Sequence, residues 1–376
     1  MENRYLDLAG DMSAGLYGHS PPSAIRAAIL TAIDDTGLSL GATSLGEQKL
    51  AALLCERFCL ARVRMTNSGT EANLYALAAA RKFTRKRKVV VFAGGYHGGA
   101  FSFPSPSVTG DMVVDREDFV VVPEYNDPVA AAEVIRRVAE EGTLAAVLVE
   151  ALQGAGGVIP GDKEFLLALR KTTREVGAVF VLDEVMTSRL APGGLASDLG
   201  LEPDLVTLGK YLGGGFSFGA FGGREDIMSV YDPRREDVLA HSGTFNNNTL
   251  TMHAGYAGLS EVFTPTVNVE FNQKGDALRE GLVAAAKGAK LFFTGKGSMI
   301  GVHCADEGLE STKNGSSLKE RRDLLDLFWF EMLEQGFWFA RRGFMALMLR
   351  TPDEELDRFV EAVVVFLTRH SEIFAV

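Results

Sequence analysis

The sequence predicts an α/β fold with a mostly parallel sheet, together with a smaller α+β part toward the C-terminus. The first observation is that short, continuous apolar runs alternate with helical patterns through the middle of the chain. Such runs are typical of parallel strands that are covered by helices on both faces. The second observation is a change after about residue 256, where longer helical patterns are separated by only a few short strands.

The individual elements follow from this pattern. In the middle of the chain we predict helices at 72–83, 128–141 and 163–176, and strands at 89–93, 118–123, 145–150, 178–182, 204–208 and 219–222. In the C-terminal part we predict helices at 269–286, 319–335 and 353–369, and strands at 291–293, 299–303 and 346–349. This order predicts a large domain of residues 41–255 and a small domain of residues 256–376, which residues 1–40 join.

Composition and charge restrict the class of protein. The formal net charge is -11, which argues against nucleic acid or an anionic membrane as the main partner because both need a basic face. No apolar run approaches the roughly 20 residues needed to cross a bilayer, and the N-terminus lacks an apolar signal core. The three cysteines cannot all pair, and no His or Cys cluster has the spacing of metal ligands. We therefore expect a cytoplasmic protein without a metal site.

Ligands of open α/β sheets bind at the carboxyl ends of the strands, and polar residues mark four such places. The first is Thr-Asn-Ser-Gly-Thr-Glu-Ala at 66–72, directly before a predicted helix. The unpaired N–H groups at a helix N-terminus bind anions, so a phosphate fits beside Ser68, Gly69 and Thr70. The alternative is an ordinary Ser/Thr helix cap.

The second place is the loop Gly-Gly-Tyr-His-Gly-Gly at 94–99. Its glycines let the backbone approach a ligand, while the ring of Tyr96 can stack on a flat π system. The alternative is a flexible loop with an incidental tyrosine. We do not expect His97, a single histidine, to bind a metal.

The third and fourth places end two consecutive predicted strands. Asp183 follows a wholly apolar strand, where a carboxylate is costly to bury without a partner. A pyridinium N–H would be such a partner; a helix cap or an arginine is the alternative. Lys210 follows the next strand among glycines, which suits an amine that must lose its charge to form an imine. A nucleotide P-loop is excluded there because Tyr211 follows the Gly-Lys pair.

The order of these passages resembles the class III aminotransferases, which have fold type I and use pyridoxal 5'-phosphate (PLP). The resemblance runs from about Asp7 to the C-terminus. The segment from 208 to 224 is similar to the branch of glutamate-1-semialdehyde aminomutase. The passages at 183–190, 241–248 and 342–344 are more similar to the β-phenylalanine (β-amino acid) aminotransferases of that branch. The resemblance implies a mostly parallel, seven-stranded type of sheet in the large domain.

The resemblance also implies roles for individual residues at the cofactor. Lys210 would hold PLP as a Schiff base and move the proton between the substrate carbon and the cofactor. Asp183 would pair with the ring nitrogen, and Gln153 would reach the phenolic oxygen. Tyr96 and Val185 would pack on the two faces of the ring.

The remaining implied roles concern the phosphate and a second subunit. Ser68, Gly69 and Thr70 would bind the phosphate through the backbone and hydroxyl groups. Thr244 would contact the phosphate bound to the neighbouring subunit. A homodimer would therefore be part of the active site.

Substrate recognition depends on arginines. The family's Arg-Gly-Phe matches Arg342, for which we predict a carboxylate clamp, with Arg341 as the other candidate for that role. The alternative for Arg342 is a surface arginine at a domain edge. Relatives have some tens of residues before the point that matches Tyr5, and in the β-phenylalanine enzymes that part supplies a carboxylate-binding arginine. Arg189 is a candidate for a second clamp or for an ion pair with Glu150 or Glu184.

The resemblance implies a ping-pong aminotransferase. A β- or ω-amino acid or amine would donate the amino group, and a 2-oxo acid would accept it. The residues Ser188-Arg189-Leu190 stand where the aminomutases have Gly-Phe-Arg, which favours a transaminase. An aminomutase or other PLP-dependent isomerase is the alternative, and a non-catalytic paralogue that keeps the fold is a third.

Overall fold

A computed structural model of the chain describes residues 4–38, 41–103, 113–306 and 318–376. Its strands are β1 (Leu6–Asp7), β2 (Arg62–Thr66), β3 (Lys88–Phe92), β4 (Phe119–Val122), β5 (Leu144–Glu150), β6 (Leu152–Gln153), β7 (Ile159–Pro160), β8 (Val179–Asp183), β9 (Leu205–Gly209), β10 (Gly219–Gly223), β11 (Leu291–Lys296), β12 (Met299–Cys304), β13 (Phe337–Trp338) and β14 (Phe344–Ala346). Its helices are α1 (Ser23–Thr31), α2 (Leu45–Arg57), α3 (Gly69–Thr84), α4 (Pro128–Glu140), α5 (Lys163–Glu175), α6 (Gly194–Leu199), α7 (Glu225–Met228), α8 (Thr249–Ala257), α9 (Pro265–Ala285), α10 (Arg322–Glu334), α11 (Asp353–Arg369) and α12 (Ser371–Phe374).

The central sheet has seven strands in the order β2-β10-β9-β8-β5-β3-β4. Only β10 runs antiparallel to its neighbours within this sheet, so the other six strands share one direction. The predicted α/β fold with a mostly parallel sheet is thereby confirmed. The parallel direction brings the carboxyl ends of β3, β5, β8 and β9 to one edge, where the polar residues of the sequence follow.

Both faces of this sheet are buried. Strand β5 is buried along its whole length, and its side chains alternate between two apolar clusters. Val147 and Val149 pack with α4 and α5 on one face, whereas Ala146 and Leu148 pack with α3 on the other. The strand is apolar at every position before its last residue, Glu150, as two covered faces require, because successive side chains point to opposite sides.

The C-terminal part contains a three-stranded antiparallel sheet in the order β11-β12-β14. Helices α9 and α10 pack on it, and α11 packs on α9. The N-terminal residues are bonded to this part, since β1 pairs with β13 in parallel and Ala346 N donates to Leu8 O at 2.8 Å. The domain boundaries at 40/41 and 255/256 stay predictions.

Several elements differ from the expectations, among them the following three. The strand predicted at 346–349 ends at Ala346 because the next amides leave the sheet, with Leu347 N donating to Ser298 O. The helix predicted from residue 319 begins at Arg322. Strand β2 was not predicted, because its Arg-Val-Arg-Met-Thr lacks a continuous apolar run and it lies at the sheet edge. No helix among the described residues has the length and apolar character to cross a membrane.

Candidate functional site

A cavity of about 330 Å³ opens at the edge where the carboxyl ends of β5, β8 and β9 meet the N-terminus of α3. Most of the residues predicted for the cofactor line this cavity, namely Ser68, Gly69, Thr70, Tyr96, Asp183, Val185 and Lys210. These residues come from four separate stretches of sequence. The fold therefore brings together side chains that the sequence analysis could assign only one by one.

The N-terminus of α3 forms one wall of the cavity. Ser68 caps the helix, since its Oγ accepts from Glu71 N at 3.2 Å. The cap thus coexists with the predicted anion site, because the first-turn amides of Gly69 and Thr70 have no intrahelical acceptor. A Cβ on Gly69 would lie 2.8 Å from the side chain of Val185, so only glycine fits there. Val185 is thereby held close to this turn.

Lys210 stands in the turn directly after β9, with a backbone φ of +59°. A left-handed conformation is uncommon for a residue with a side chain, and such conformations cluster at functional sites. Burial lowers the pKa of the Lys210 amine, an effect that nearby Arg342 increases and the carboxylates of Asp183 and Glu150 oppose. The neutral, nucleophilic amine is therefore more accessible here than on a surface lysine.

Asp183 is buried at the end of β8, and three donors point at its carboxylate. His97 Nδ1 and Asn73 Nδ2 each lie 2.8 Å from Oδ2, and Val185 N donates to Oδ1 at 3.0 Å. Asn73 is held in turn by Thr207, whose hydroxyl donates to Asn73 Oδ1 at 2.9 Å. Because a carboxylate only accepts, His97 must carry its proton on Nδ1. The described residues include no arginine beside Asp183, so that alternative is wrong.

Glu150 lies at the end of β5 and holds two loops of the site. Its Oε1 accepts from Tyr96 N and its Oε2 from Gly154 N, both at 2.9 Å. Burial raises the pKa of Glu150 to about 7. The Glu150 carboxylate thus holds the backbone of Tyr96 in place, while the tyrosine remains 43% exposed at the cavity. The tyrosine is available to a planar ligand without being part of the core.

Gln153 is buried beside the loop at 94–97 and does not line the cavity. Its Nε2 donates to Ala93 O at 2.8 Å, and its Oε1 has no hydrogen-bond partner among the described residues. A Cβ on Gly94 would lie 3.0 Å from this oxygen. The predicted contact of Gln153 with a phenolic oxygen stays a prediction, and the structure places the side chain behind the loop.

The three predicted arginines differ in what their guanidinium groups contact. Arg341 is exposed and donates to both carboxylate oxygens of Asp326 at 2.7 Å. Arg342 pairs with no carboxylate within the described residues; its Nη2 lies 3.8 Å from Met12 Sδ. Partial burial lowers the pKa of Arg342, and nearby Tyr96 opposes that shift. Arg342 is therefore the one of the two that is left available for a substrate carboxylate.

Arg189 is fully buried, which excludes it as a carboxylate clamp. Its Nε donates to Ser298 Oγ at 3.0 Å, Nη1 donates to Ser13 O at 3.1 Å, and Nη2 donates to Leu347 O. The ion pair considered with Glu150 or Glu184 is also absent from the described contacts. Glu184 instead accepts from Thr187 Oγ1, Leu195 N and Ala196 N. Arg189 joins the N-terminal segment to the C-terminal part.

Thr244 is exposed and lies outside this cavity. It lines a second, larger cavity of about 800 Å³ together with Arg64, His241 and Asn246. The two cavities adjoin at Asn67, which lines the first and donates from Nδ2 to Asn246 Oδ1 at 2.8 Å. Within one chain, Thr244 therefore does not reach the cavity of Lys210.

The sequence analysis missed three residues that support the site: Asn73, His97 and Glu150. Asn73 lies on α3 one turn after Gly69, so its helical spacing was an available clue. His97 was considered only as a metal ligand, and Glu150 only as an ion-pair partner. Neither local sequence shows that these side chains meet Asp183 and Tyr96.

Three phenylalanines of the loops around the site differ in position. Phe101 and Phe103 belong to the core cluster on the α3 face of the sheet. Phe216 is 37% exposed and lines the cavity near Lys210.

One group with the spacing of metal ligands, Asp7, Asp11 and His19, is largely exposed and does not line the cavity.

Comparison with known proteins gives consistent matches. The family model described as "Aminotransferase class-III" matches residues 2–367. The β-phenylalanine transaminase of Variovorax paradoxus is 48% identical over 377 residues, covering 99% of this chain and 84% of that protein. A crystal structure of a β-phenylalanine aminotransferase from the same organism has a TM-score of 0.93 and 46% identity, covering 99% of this chain and 85% of that one. A glutamate-1-semialdehyde 2,1-aminomutase of Anoxybacillus flavithermus is 34% identical, covering 96% and 85% of the two chains.

Proposed function

Because this chain belongs to the class III aminotransferases, we propose that its cavity binds PLP through Lys210 and transfers the amino group of a β- or ω-amino acid or amine to a 2-oxo acid. The chain is a PLP-dependent aminotransferase by family. The observation that supports the assignment of residues is the arrangement at one sheet edge. Asp183 and Lys210 end neighbouring parallel strands, and the N-terminus of α3 faces the same cavity.

The residues of the cavity fit the chemical groups of PLP. Ser68, Gly69 and Thr70 supply a hydroxyl and first-turn amides for the phosphate, where the helix dipole also favours an anion. The missing Cβ of Gly69 leaves Val185 against this turn. Tyr96 supplies an aromatic face, and Asp183 a buried carboxylate for the ring nitrogen. Bound PLP supplies an aldehyde that reacts with amines and a ring that, when protonated, accepts electrons from the substrate.

Asp183 would keep a proton on the ring nitrogen of bound PLP, because three donors hold its carboxylate in place. The donors from His97, Asn73 and Val185 stabilise the ionised carboxylate in a buried position. An ionised Asp183 beside a ring nitrogen raises the proton affinity of that nitrogen.

Lys210 has two tasks. Its amine would hold the cofactor covalently, and once released its Nζ would accept the proton from the substrate carbon that bears nitrogen. Burial lowers the pKa of this amine, which favours both tasks because each requires a neutral Nζ. The donor leaves as an oxo product before the 2-oxo acid binds, so the kinetics are ping-pong.

Arg342 is proposed to hold the carboxylate of the substrate. Its guanidinium is the free one of the neighbouring pair, and a bidentate pair with a carboxylate contributes about 1.5–3 kcal/mol. The named activity of the Variovorax paradoxus relative, on β-phenylalanine, supports a β-amino acid as the donor.

A homodimer is proposed to complete the site. Thr244 is exposed on the second cavity and lies outside the first, so a contact with the phosphate requires a second copy of the chain.

We further propose that residues 41–255 form the cofactor domain, that residues 1–40 and 256–376 form the small one, and that the protein is cytoplasmic. The described cysteines are unpaired, as a reducing compartment requires.

The test is spectroscopic and kinetic. The protein reconstituted with PLP should absorb visible light, and a β-amino acid alone should bleach this band until a 2-oxo acid is added. Lys210→Ala should lose the band and reduce the rate by more than about 10³-fold. A colourless wild-type protein that PLP does not reconstitute would contradict the proposal. Turnover without a 2-oxo acid would instead identify the isomerase.

A further inference from the structure

A group of buried polar atoms near Tyr211, in the turn after Lys210, has no partner outside the group among the described residues. It consists of the hydroxyl oxygens of Tyr17 and Ser13, of Arg57 Nη2, and of the hydroxyls of Tyr211 and Ser188, which are partnered only with each other. The four hydroxyl residues are at most 3% exposed. Since more than about 90% of buried polar groups are hydrogen-bonded in native proteins, several unpaired atoms in one place require an explanation.

These atoms belong to one place in the fold. The rings of Tyr17 and Tyr211 are 6.3 Å apart between centroids, and Tyr211 packs at 5.5 Å against Phe263. The Arg57 guanidinium lies 5.6 Å from the same Phe263 ring. Arg189 approaches from the other side, where its Nη1 donates to Ser13 O. The place is therefore bounded by the N-terminal segment, the turn after Lys210 and two arginines.

The positive charge of the two arginines is not balanced by a contacting carboxylate in the described part of the chain. Arg57 donates to the carbonyl oxygens of Pro192, Leu259 and Phe263. Arg189 donates to two carbonyls and one serine hydroxyl. Burying a charge without a counter-charge is costly, and burial lowers the pKa of Arg189 to about 10.

The titratable groups that face this place are few. Both arginines lower the pKa of the Tyr17 and Tyr211 phenols, although burial raises each above its ordinary value, so both phenols stay protonated donors. The nearby charge of Glu184 raises the pKa of the Tyr211 phenol, and a hydrogen bond with the Ser188 side chain lowers it. The oxygens of Glu184 are already occupied by Thr187 and two backbone amides. Glu184 therefore does not pair with either arginine.

We propose that this place is an internal binding site for a small monovalent anion such as chloride. Tyr17, Tyr211 and Ser13 can all donate O–H groups to one acceptor, and Arg57 Nη2 can donate an N–H. An anion satisfies these donors together and balances buried positive charge, whereas a water molecule would leave the charge unbalanced.

The anion has a structural consequence for the site of Lys210. Tyr211 is the next residue in the turn that begins at Lys210, and Ser13 and Tyr17 belong to the segment around Ala14, which lines the cavity. Bound chloride therefore joins this segment to the turn. A ligand that binds only the folded state stabilises it by mass action, so the protein should be more stable in chloride.

The experiment uses the PLP-saturated protein in two measurements. The first follows the thermal unfolding midpoint while sodium chloride replaces sodium gluconate at constant ionic strength. We expect a saturable rise on the order of a few °C. The second is a crystal structure in sodium bromide, in which an anomalous peak should lie between the Tyr17 and Tyr211 hydroxyls. Ordered water without bromide at this place would overturn the proposal.

Variants identify the site independently of the crystal. Tyr17→Phe removes one donor and should abolish at least about half of the chloride-dependent rise. Tyr231→Phe is the control, because its buried hydroxyl donates elsewhere, to Tyr75 O at 2.6 Å, and the rise should stay unchanged. A full chloride effect in Tyr17→Phe would overturn the proposal. If Tyr17→Phe does not fold, the bromide structure of the wild type decides alone.

Discussion

The cofactor end of the site, which lines the cavity, and the proposed substrate end at Arg342, which lies near Lys210 and Tyr96 without lining it, differ in how far their polar groups are already partnered within the chain. At the cofactor end, the carboxylate of Asp183 accepts from three donors, and Glu150 accepts from two backbone amides. At the substrate end, the Arg342 guanidinium contacts the sulfur of Met12 and the ring of Phe344, and it pairs with no carboxylate of the described residues. A group that the protein already holds in place affects the reaction of every substrate. An arginine without a carboxylate partner stabilises only those substrates that carry a carboxylate.

The largest effect expected from this comparison is at Asp183. Asp183→Asn removes the negative charge but keeps the size of the side chain, so the ring nitrogen loses the partner that keeps it protonated. We expect the turnover rate to fall by about 10²–10³-fold for every donor. Steady-state kinetics with a carboxylated and a non-carboxylated amine measure this. A loss limited to one donor would contradict the assigned role.

The second prediction concerns the pH dependence of stability at Glu150. Its pKa is raised to about 7, so the folded protein holds this proton more tightly than the unfolded chain. The contribution of Glu150 to the free energy of unfolding is complete at pH values below the pKa that this group has in the unfolded chain. It is lost as the pH rises toward about 7, the pKa of the group in the folded protein. Relative to wild type, Glu150→Gln should gain up to about 3 kcal/mol in the free energy of unfolding between pH 5 and pH 8.

Chemical denaturation of the wild type and the variant at both pH values measures this difference. The matched control is Glu184→Gln, because Glu184 is likewise buried and burial raises its pKa to about 7. Both variants should therefore show the pH effect, but only Glu150→Gln should also disturb PLP binding, since Glu150 alone accepts from Tyr96 N. A pH-independent difference between wild type and Glu150→Gln would mean that the carboxyl group does not titrate in this range.

These cases indicate which parts of the site the sequence could predict. Lys210, Asp183 and the turn at Gly69 each follow a strand or precede a helix, so their place at the sheet edge follows from local patterns. His97 and Glu150 required contacts across 86 and 54 residues of sequence. Such pairings depend on the strand order, which hydrophobic patterns do not specify.

Arg189 is the opposite case, a residue that the sequence analysis considered for substrate binding and that the structure buries away from any substrate. Its local sequence resembles a segment of functional residues, and the two interpretations considered were a second carboxylate clamp and an ion pair with Glu150 or Glu184. The structure buries it against three carbonyl or hydroxyl oxygens that come from residues 13, 298 and 347. Only the packing of the N-terminal segment and the C-terminal part supplies these acceptors, and the sequence gives no sign of them.

The third prediction tests the substrate end. Arg342→Ala should raise KM for a β-amino acid by about 10–100-fold, because the carboxylate loses a charge-assisted hydrogen bond. An amine without a carboxylate should be converted as well as by the wild type. Arg341→Ala is the matched control and should change neither donor, since Arg341 is paired with Asp326. Equal losses for both donors would mean that Arg342 supports the cofactor and not the substrate carboxylate.

The smallest effect is expected at His97, which acts only through Asp183. Its Nδ1–H donates to Asp183 Oδ2 at 2.8 Å, and both side chains are buried. His97→Phe leaves Asn73 and Val185 as donors, so the carboxylate stays but is less well held, and we expect about a tenfold loss in turnover. His97→Asn restores an N–H donor near the same place and should recover part of the rate. A purely structural role would lower stability in both variants, and His97→Asn would then recover none of the rate.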